Sequence, residues 1–90
     1  MANRDLKYVL RKVYNHESLV GIDLRNLYLS FVDFSSLELR RADLEGCCLS
    51  HALLDGSDLT DANLKDARYD RRTQWPAGFD AQQHGALLVP

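Results

Sequence analysis

Apolar residues recur along this chain at a spacing that neither a helix nor a flat strand explains. From Ala42 to Tyr69 the sequence reads ADLEGCCLSHALLDGSDLTDANLKDARY, with leucine at 44, 49, 54, 59 and 64 and tyrosine at 69. On an α-helix a step of five residues rotates a side chain by about 140°, so these leucines would scatter around the axis. On a flat strand the odd step sends successive leucines to opposite faces. A chain that turns a corner once per pentad satisfies the pattern. Each pentad is then a short extended edge and a bend, and its central residue points inward every time. Four such corners close a square of about twenty residues, and squares stack at about 4.8 Å through edge-to-edge hydrogen bonds.

A second position agrees. The residue two before each centre shares its strand face and must also point inward. From Ile22 to Ala67 that position is never charged, and it is mostly small from Ala42 onward. The centres run without a gap from Leu24 through Leu29, Phe34 and Leu39 to Tyr69, ten pentads from Ile22 to Arg71. ADLEG, SDLTD and ANLKD resemble the A(D/N)Lxx unit of pentapeptide-repeat proteins. The resemblance implies an all-β solenoid, a right-handed quadrilateral β-helix. The early pentads IDLRN, LYLSF, VDFSS and LELRR carry larger residues where that family prefers Ala or Cys. They predict a wider or slightly distorted first coil, since an extra methylene in a packed core costs about 1–3 kcal/mol.

A stack of coils has two open ends that need covering. Leu6, Val9, Leu10 and Val13 follow the i, i+3, i+4, i+7 spacing of an amphipathic helix. Asn3 is expected as its N-cap, with Asp5 at the positive end of the helix dipole. Arg4, Lys7, Arg11 and Lys12 lie off the apolar stripe. An end cap is the expectation here, in preference to a basic helix on a membrane surface. After Arg71 the pentad rule is lost. Trp75 and Phe79 flank a Pro76-Ala77-Gly78 turn, and Asp80 is placed to cap a helical turn that Gly85 ends. This stretch is similar to the C-terminal tails of cyanobacterial pentapeptide-repeat proteins and is expected to be a second cap. The apolar Ala86-Leu87-Leu88-Val89-Pro90 either folds back or pairs with another chain. The expected organisation is a helical cap over 1–17, repeats over 18–71, and a C-terminal cap or tail over 72–90.

Ninety residues with a net charge of −2 and 46% hydrophobic content describe one small globular domain. No apolar run reaches membrane-span length, and the charged N-terminal stretch is unlike a signal peptide. A cytoplasmic location is expected, with Cys47 and Cys48 as free thiols. In the pentad register Cys47 points inward and Cys48 outward, near His51. One Cys and one His fall short of a zinc site, and no Lys or Arg adjoins Cys48 in sequence to activate it. No catalytic constellation, metal site, cofactor motif or small-molecule substrate site is expected.

Stacking positions twenty apart puts Arg25, Glu45 and Lys65 on one outward ladder, Arg41 over Asp61, and Asp23 over Asp43. These read as a solvated charged surface. One side differs. Tyr28 stacks over Cys48, Phe31 over His51, and Leu53 projects from the adjoining face. Tyr28, Phe31, Cys48, His51 and Leu53 are therefore candidate contacts to another protein or a second copy, unless the helix or the tail covers them. The function expected is a non-catalytic protein–protein interaction or scaffold module, without nucleic-acid or membrane partners. The alternative is a nucleic-acid mimic that binds an enzyme such as a topoisomerase, as some relatives do. Residues 22–71 hold ten acidic against six basic side chains, a net of −4, which is sparse beside a duplex carrying one charge per ~1.7 Å.

Overall fold

A computed structural model describes residues 5–90. The chain winds as a stack of coils with four extended edges each, and parallel bridges join positions twenty apart. Asp23, Asp43 and Asn63 align on face 1, and Tyr28, Cys48 and Arg68 on face 2. Asp33 and Leu53 align on face 3, and Glu38 and Asp58 on face 4. Each edge is so short that, among the described residues, only two stretches form a regular pair, β1 (Arg68–Tyr69) and β2 (Leu87–Leu88). Every rung is nevertheless hydrogen-bonded. On face 1, Leu24 N donates to Asp43 O at 2.8 Å and Asp43 N to Ile22 O at 2.9 Å.

The five-residue period reappears in the backbone. Positive φ falls at 21, 26, 31, 36, 41, 46, 51, 56, 61 and 66, two residues after each centre from Leu19 to Leu64. Each corner closes with a bond from the next residue's N–H to the preceding centre's carbonyl, as Leu27 N to Leu24 O at 3.2 Å. Positive φ at the third residue is the mark of a type II turn, which favours Gly and Asn. Gly46 meets this need, and its neighbour Asn26 sits where a Cβ would project. Phe31 (φ 67°) and Arg41 (φ 57°) do not, and bulky residues are uncommon in this region.

The centres from Leu24 to Leu64 are buried, as are Ala42, Cys47, Ala52, Ser57 and Ala67 two residues before theirs. Leu19 is a further buried centre, one pentad before the expected start, and its N–H donates to Glu38 O at 2.9 Å on face 4. The large Ile22, Leu27 and Val32 are only partly buried. The first coil is not loosened by them: Leu24, Leu29 and Phe34 donate across the rung at 2.7–2.8 Å, as Leu44 and Leu49 do.

Helix α1 (Leu6–Tyr14) precedes the coils, with Val9 fully buried in the same core cluster. Asp5 is the N-cap, accepting from Lys7 N at 2.9 Å; the expected cap Asn3 and the flanking Arg4 lie outside the described residues. The stripe is also shifted. Leu10 is 39% exposed, whereas Tyr8 packs partly buried beside Leu6 and Val13. With Val9 at the centre of contact, Leu10 rolls to the rim.

The tail folds back on its own chain. Gln74 pairs with Leu53 at a spacing of 21, and β2 pairs with β1 in parallel, Arg68 to Leu87, at a spacing of 19. The segment therefore continues the coil path, with one residue gained before Gln74 and two lost by Leu87. Trp75 meets Tyr69 edge-on at 5.4 Å and stacks on Phe79 at 5.4 Å. Phe79 stacks in turn on His84 at 4.4 Å. Asp80 accepts from Gln82 N and Gln83 N, and a 3-10 turn (Gln82–His84) ends at Gly85 with φ 89°.

Candidate interaction surface

The outward residue just before each centre decides how an edge is held. Where it is Asp or Asn, its side chain accepts the N–H two residues on: Asp23 from Arg25, Asp43 from Glu45, Asn63 from Lys65, Asp33 from Ser35, and Asp58 from Thr60, at 2.9–3.2 Å. This side-chain turn satisfies a corner donor locally. The hydroxyl and N–H of Ser35 hold Asp33 below the usual carboxylate range, and those of Thr60 do the same for Asp58. Face 1 keeps the device on all three rungs. Face 2 carries Tyr28, Cys48, Arg68 and Leu87 at that position and has an Asp or Asn on none.

Face 2 is therefore uncharged and aromatic at one end, and cationic and aliphatic at the other. Tyr28 and Phe31 are each 73% exposed, so neither α1 nor the tail covers them. Phe31 stacks on His51, with ring centroids 4.5 Å apart and planes at 25°. Leu53 lies around the corner on face 3, partly buried between Asp33 and Gln74. Leu87 and Leu88 extend the exposed apolar surface beyond Arg68, at 49% and 43%.

His51 is tied to the point where the tail begins. Its Nδ1 lies 2.8 Å from Asp70 Oδ2, and its backbone N–H donates to Asp70 Oδ1 at 3.0 Å. Asp70 Oδ1 also accepts from Arg72 N and Thr73 N at 3.1 Å. At the equivalent corner one coil earlier, Phe31 N donates to a backbone carbonyl, Ser50 O. A carboxylate thus replaces a rung carbonyl where the extra residue enters. Desolvation pushes Asp70 up, but the bonds from His51, Arg72 and Thr73 and the nearby imidazole outweigh it and hold it below its ordinary range.

Cys48 is half-buried, with Ser30 Oγ 3.2 Å and Ser50 Oγ 3.7 Å from its sulfur. Desolvation raises this thiol, but bonds from Ser30 and Ser50 and the charge of Arg68 bring it below its usual value. The absence of a basic neighbour in sequence was misleading, because Arg68 stands one rung away. Cys47 faces the core, and burial pushes it up to about 12. Among the described residues no group of three His, Cys, Asp or Glu is disposed to hold a metal ion.

The charged ladders pair differently from the expected vertical stacks. Arg25 binds Asp23 at 3.0 Å and reaches Asp43 at 3.7 Å, so it bridges two stacked carboxylates. Glu45 accepts from Asn63 Nδ2 at 3.1 Å. The ion pair near Arg41 is Arg40 with Asp58 at 3.8 Å, whereas Arg41 and Asp61 form none.

The model described as pentapeptide repeats matches residues 18–46 and 38–68, in eight copies. The chain belongs to the pentapeptide-repeat family. Its stacked coils are the β-helix solenoid of that family. The pentapeptide-repeat chain is also similar to the crystal structure of a pentapeptide-repeat protein from Nostoc Pcc 7120, at 24% identity and a TM-score of 0.43. That similarity covers 91% of this chain and 94% of the other. No curated protein matches it. Among its described residues no helix is long and apolar enough to cross a membrane. Of the face 2 residues, Arg68 was discoverable as Cys48 plus twenty, whereas Leu87 was hidden by the irregular tail spacing.

Proposed function

We propose that this protein is a non-catalytic interaction module of the cytoplasm and that face 2, with its corner toward face 3, is its binding surface. The residues are Tyr28, Phe31, Cys48 and His51, with Leu53 at the margin. The observation that carries this reading is the coincidence of two departures on one face. No rung there has the side-chain turn that supports the rungs of face 1, and the aromatics present instead are exposed. Phe31 adds a third, since its positive φ is unfavourable for a bulky side chain. Backbone strain held in place by the surrounding structure clusters at functional sites. Exposed aromatic surface on a rigid frame suits protein recognition, where Tyr and Phe are enriched.

In this reading α1 is the cap of the first coil, since Val9 enters the core cluster with Leu19, and the repeats coil right-handedly as the family resemblance implies. The test is affinity capture with crosslinking in cells, comparing wild type with Tyr28→Lys/Phe31→Lys. A specific partner that crosslinks to wild type and is lost from the variant, with the circular dichroism unchanged, is the expected result. Partners retained equally by both proteins would remove face 2 from the function.

A further inference from the structure

We infer that face 2 takes an extended acidic segment of another protein, with an apolar side chain on Tyr28 and Phe31 and carboxylates on Arg68 and Arg71. This rests on the reading of face 2 as the binding surface and adds the chemistry of what it binds. Arg68, Arg71 and Arg72 are exposed at one end of this face. Among the described residues none of the three has a carboxylate within ion-pair distance of its guanidinium. Asp70, beside Arg71 in sequence, is engaged by His51 and by the N–H groups of Arg72 and Thr73. Face 2 has no acidic residue at its outward bridge positions, whereas face 1 has Asp23 and Asp43, face 3 has Asp33, and face 4 has Glu38 and Asp58. A cationic and aromatic strip is thus set into an acidic body, and charge complementarity selects an acidic partner.

Spacing fixes the form of the segment. Tyr28 and Arg68 are two rungs apart, about 10 Å at the usual strand separation. An extended peptide advances about 3.3 Å per residue, so an apolar residue and an acidic one two to four positions later span the strip. Beyond Arg68, an open cleft of about 360 Å³ is lined by Arg71, Leu88, Val89 and Pro90. It offers a second cation beside apolar walls for the end of such a segment. A second copy is the weaker occupant. Its acidic faces differ from face 2, so the contact would join unlike surfaces and build a ring or an open chain in place of a two-fold dimer.

The test is a titration of the ¹⁵N-labelled protein, followed by NMR, with a capped peptide of one phenylalanine flanked by four glutamates. The same peptide with lysine for glutamate and a single-stranded oligothymidine are the controls. The expected result is shifts at the amides of Ser30, Phe31, His51 and Arg68, with at least tenfold weaker binding of the lysine peptide. Arg68→Glu and Arg71→Glu should each reduce affinity for the acidic peptide by about tenfold, and Arg68→Gln by less. Equal binding of both peptides, or preferential binding of the oligothymidine, overturns the acidic segment while leaving face 2 as a binding surface. No shift on face 2, or concentration-dependent self-association that blocks the peptide, overturns the inference; loss of crosslinking in Tyr28→Lys/Phe31→Lys judges the broader reading separately.

Discussion

Tyr28→Asp tests whether face 2 forgoes a stabilising contact. On the rungs that carry Asp or Asn, the side chain accepts the second N–H downstream at 2.9–3.2 Å. The Tyr28 edge has the same rungs, with Leu29 N donating to Cys48 O at 2.8 Å and Cys48 N to Leu27 O at 3.0 Å. An aspartate at 28 is therefore placed to accept from Ser30 N. A net hydrogen bond contributes about 0.5–1.5 kcal/mol. Tyr28 is 73% exposed, so little buried area is lost on replacing it. Tyr28→Ala removes the ring without supplying the acceptor and is the right reference. Tyr28→Asp should exceed it by the hydrogen-bond contribution, about 2–12 °C in Tm at 4–8 °C per kcal/mol for a domain of this size. The new carboxylate would have a depressed pKa in the folded state. Its advantage should then be full above the unfolded value of about 4 and disappear as pH falls through the folded value. Thermal unfolding of both variants at pH 7 and at pH 3 measures this. If Tyr28→Asp is no more stable than Tyr28→Ala at pH 7, face 2 has surrendered nothing and the chief support for a selected surface fails.

Leu49→Ala, which hollows the middle coil at a fully buried centre, should destabilise by about 2–5 kcal/mol in urea unfolding. Gly46→Ala should be destabilising, because a Cβ there meets the Asn26 side chain at positive φ. Arg41→Gly should be neutral to stabilising by up to about 1 kcal/mol by the same assay, as relief of left-handed strain offsets glycine's entropy. Stability should decline as pH drops from the ordinary Asp range through the depressed value of Asp70, and Asp70→Asn should flatten that window in pH-dependent thermal melts. Iodoacetamide at neutral pH should modify Cys48 in the folded protein and Cys47 only on unfolding, read by peptide mass mapping.

The repeat was legible because one strict rule governs it. A period of five fixes the centre, the small residue two before it, and the stacking partner twenty away, so Tyr28 over Cys48 and Phe31 over His51 follow from counting. The same rule locates Arg68, which reading along the local sequence alone overlooked. Legibility ends where the count changes. Gln74 gains a residue on Leu53 and Leu87 loses one on Arg68, and no periodicity encodes either offset. The first offset is accommodated by Asp70 and Thr73, whose side chains stand in for backbone at the insertion; Thr73 Oγ1 donates to Leu49 O at 2.9 Å. Ion pairing was only partly legible for a different reason. Stacking brings backbones together, but an arginine reaches several neighbours, so Arg25 closes on Asp23 beside it before Asp43 above it.

A solenoid separates the residues that make the fold from those that can vary. Inward positions on all four faces share one core, and each coil contacts only its neighbours. The outward residue before each centre adds a local hydrogen bond that any single face can omit at about 1 kcal/mol per rung. Omission scattered over four faces would amount to wear. Omission along the whole of face 2, with exposed Tyr28 and Phe31 at one end and exposed Arg68 at the other, concentrates that loss on a continuous strip. Leu29 and Leu49 beneath it are fully buried, so the strip is presented on a rigid support. Rigid presentation limits the ordering entropy that binding must overcome. In the proposed reading, a short stack of coils with one such face is suited to holding a partner segment.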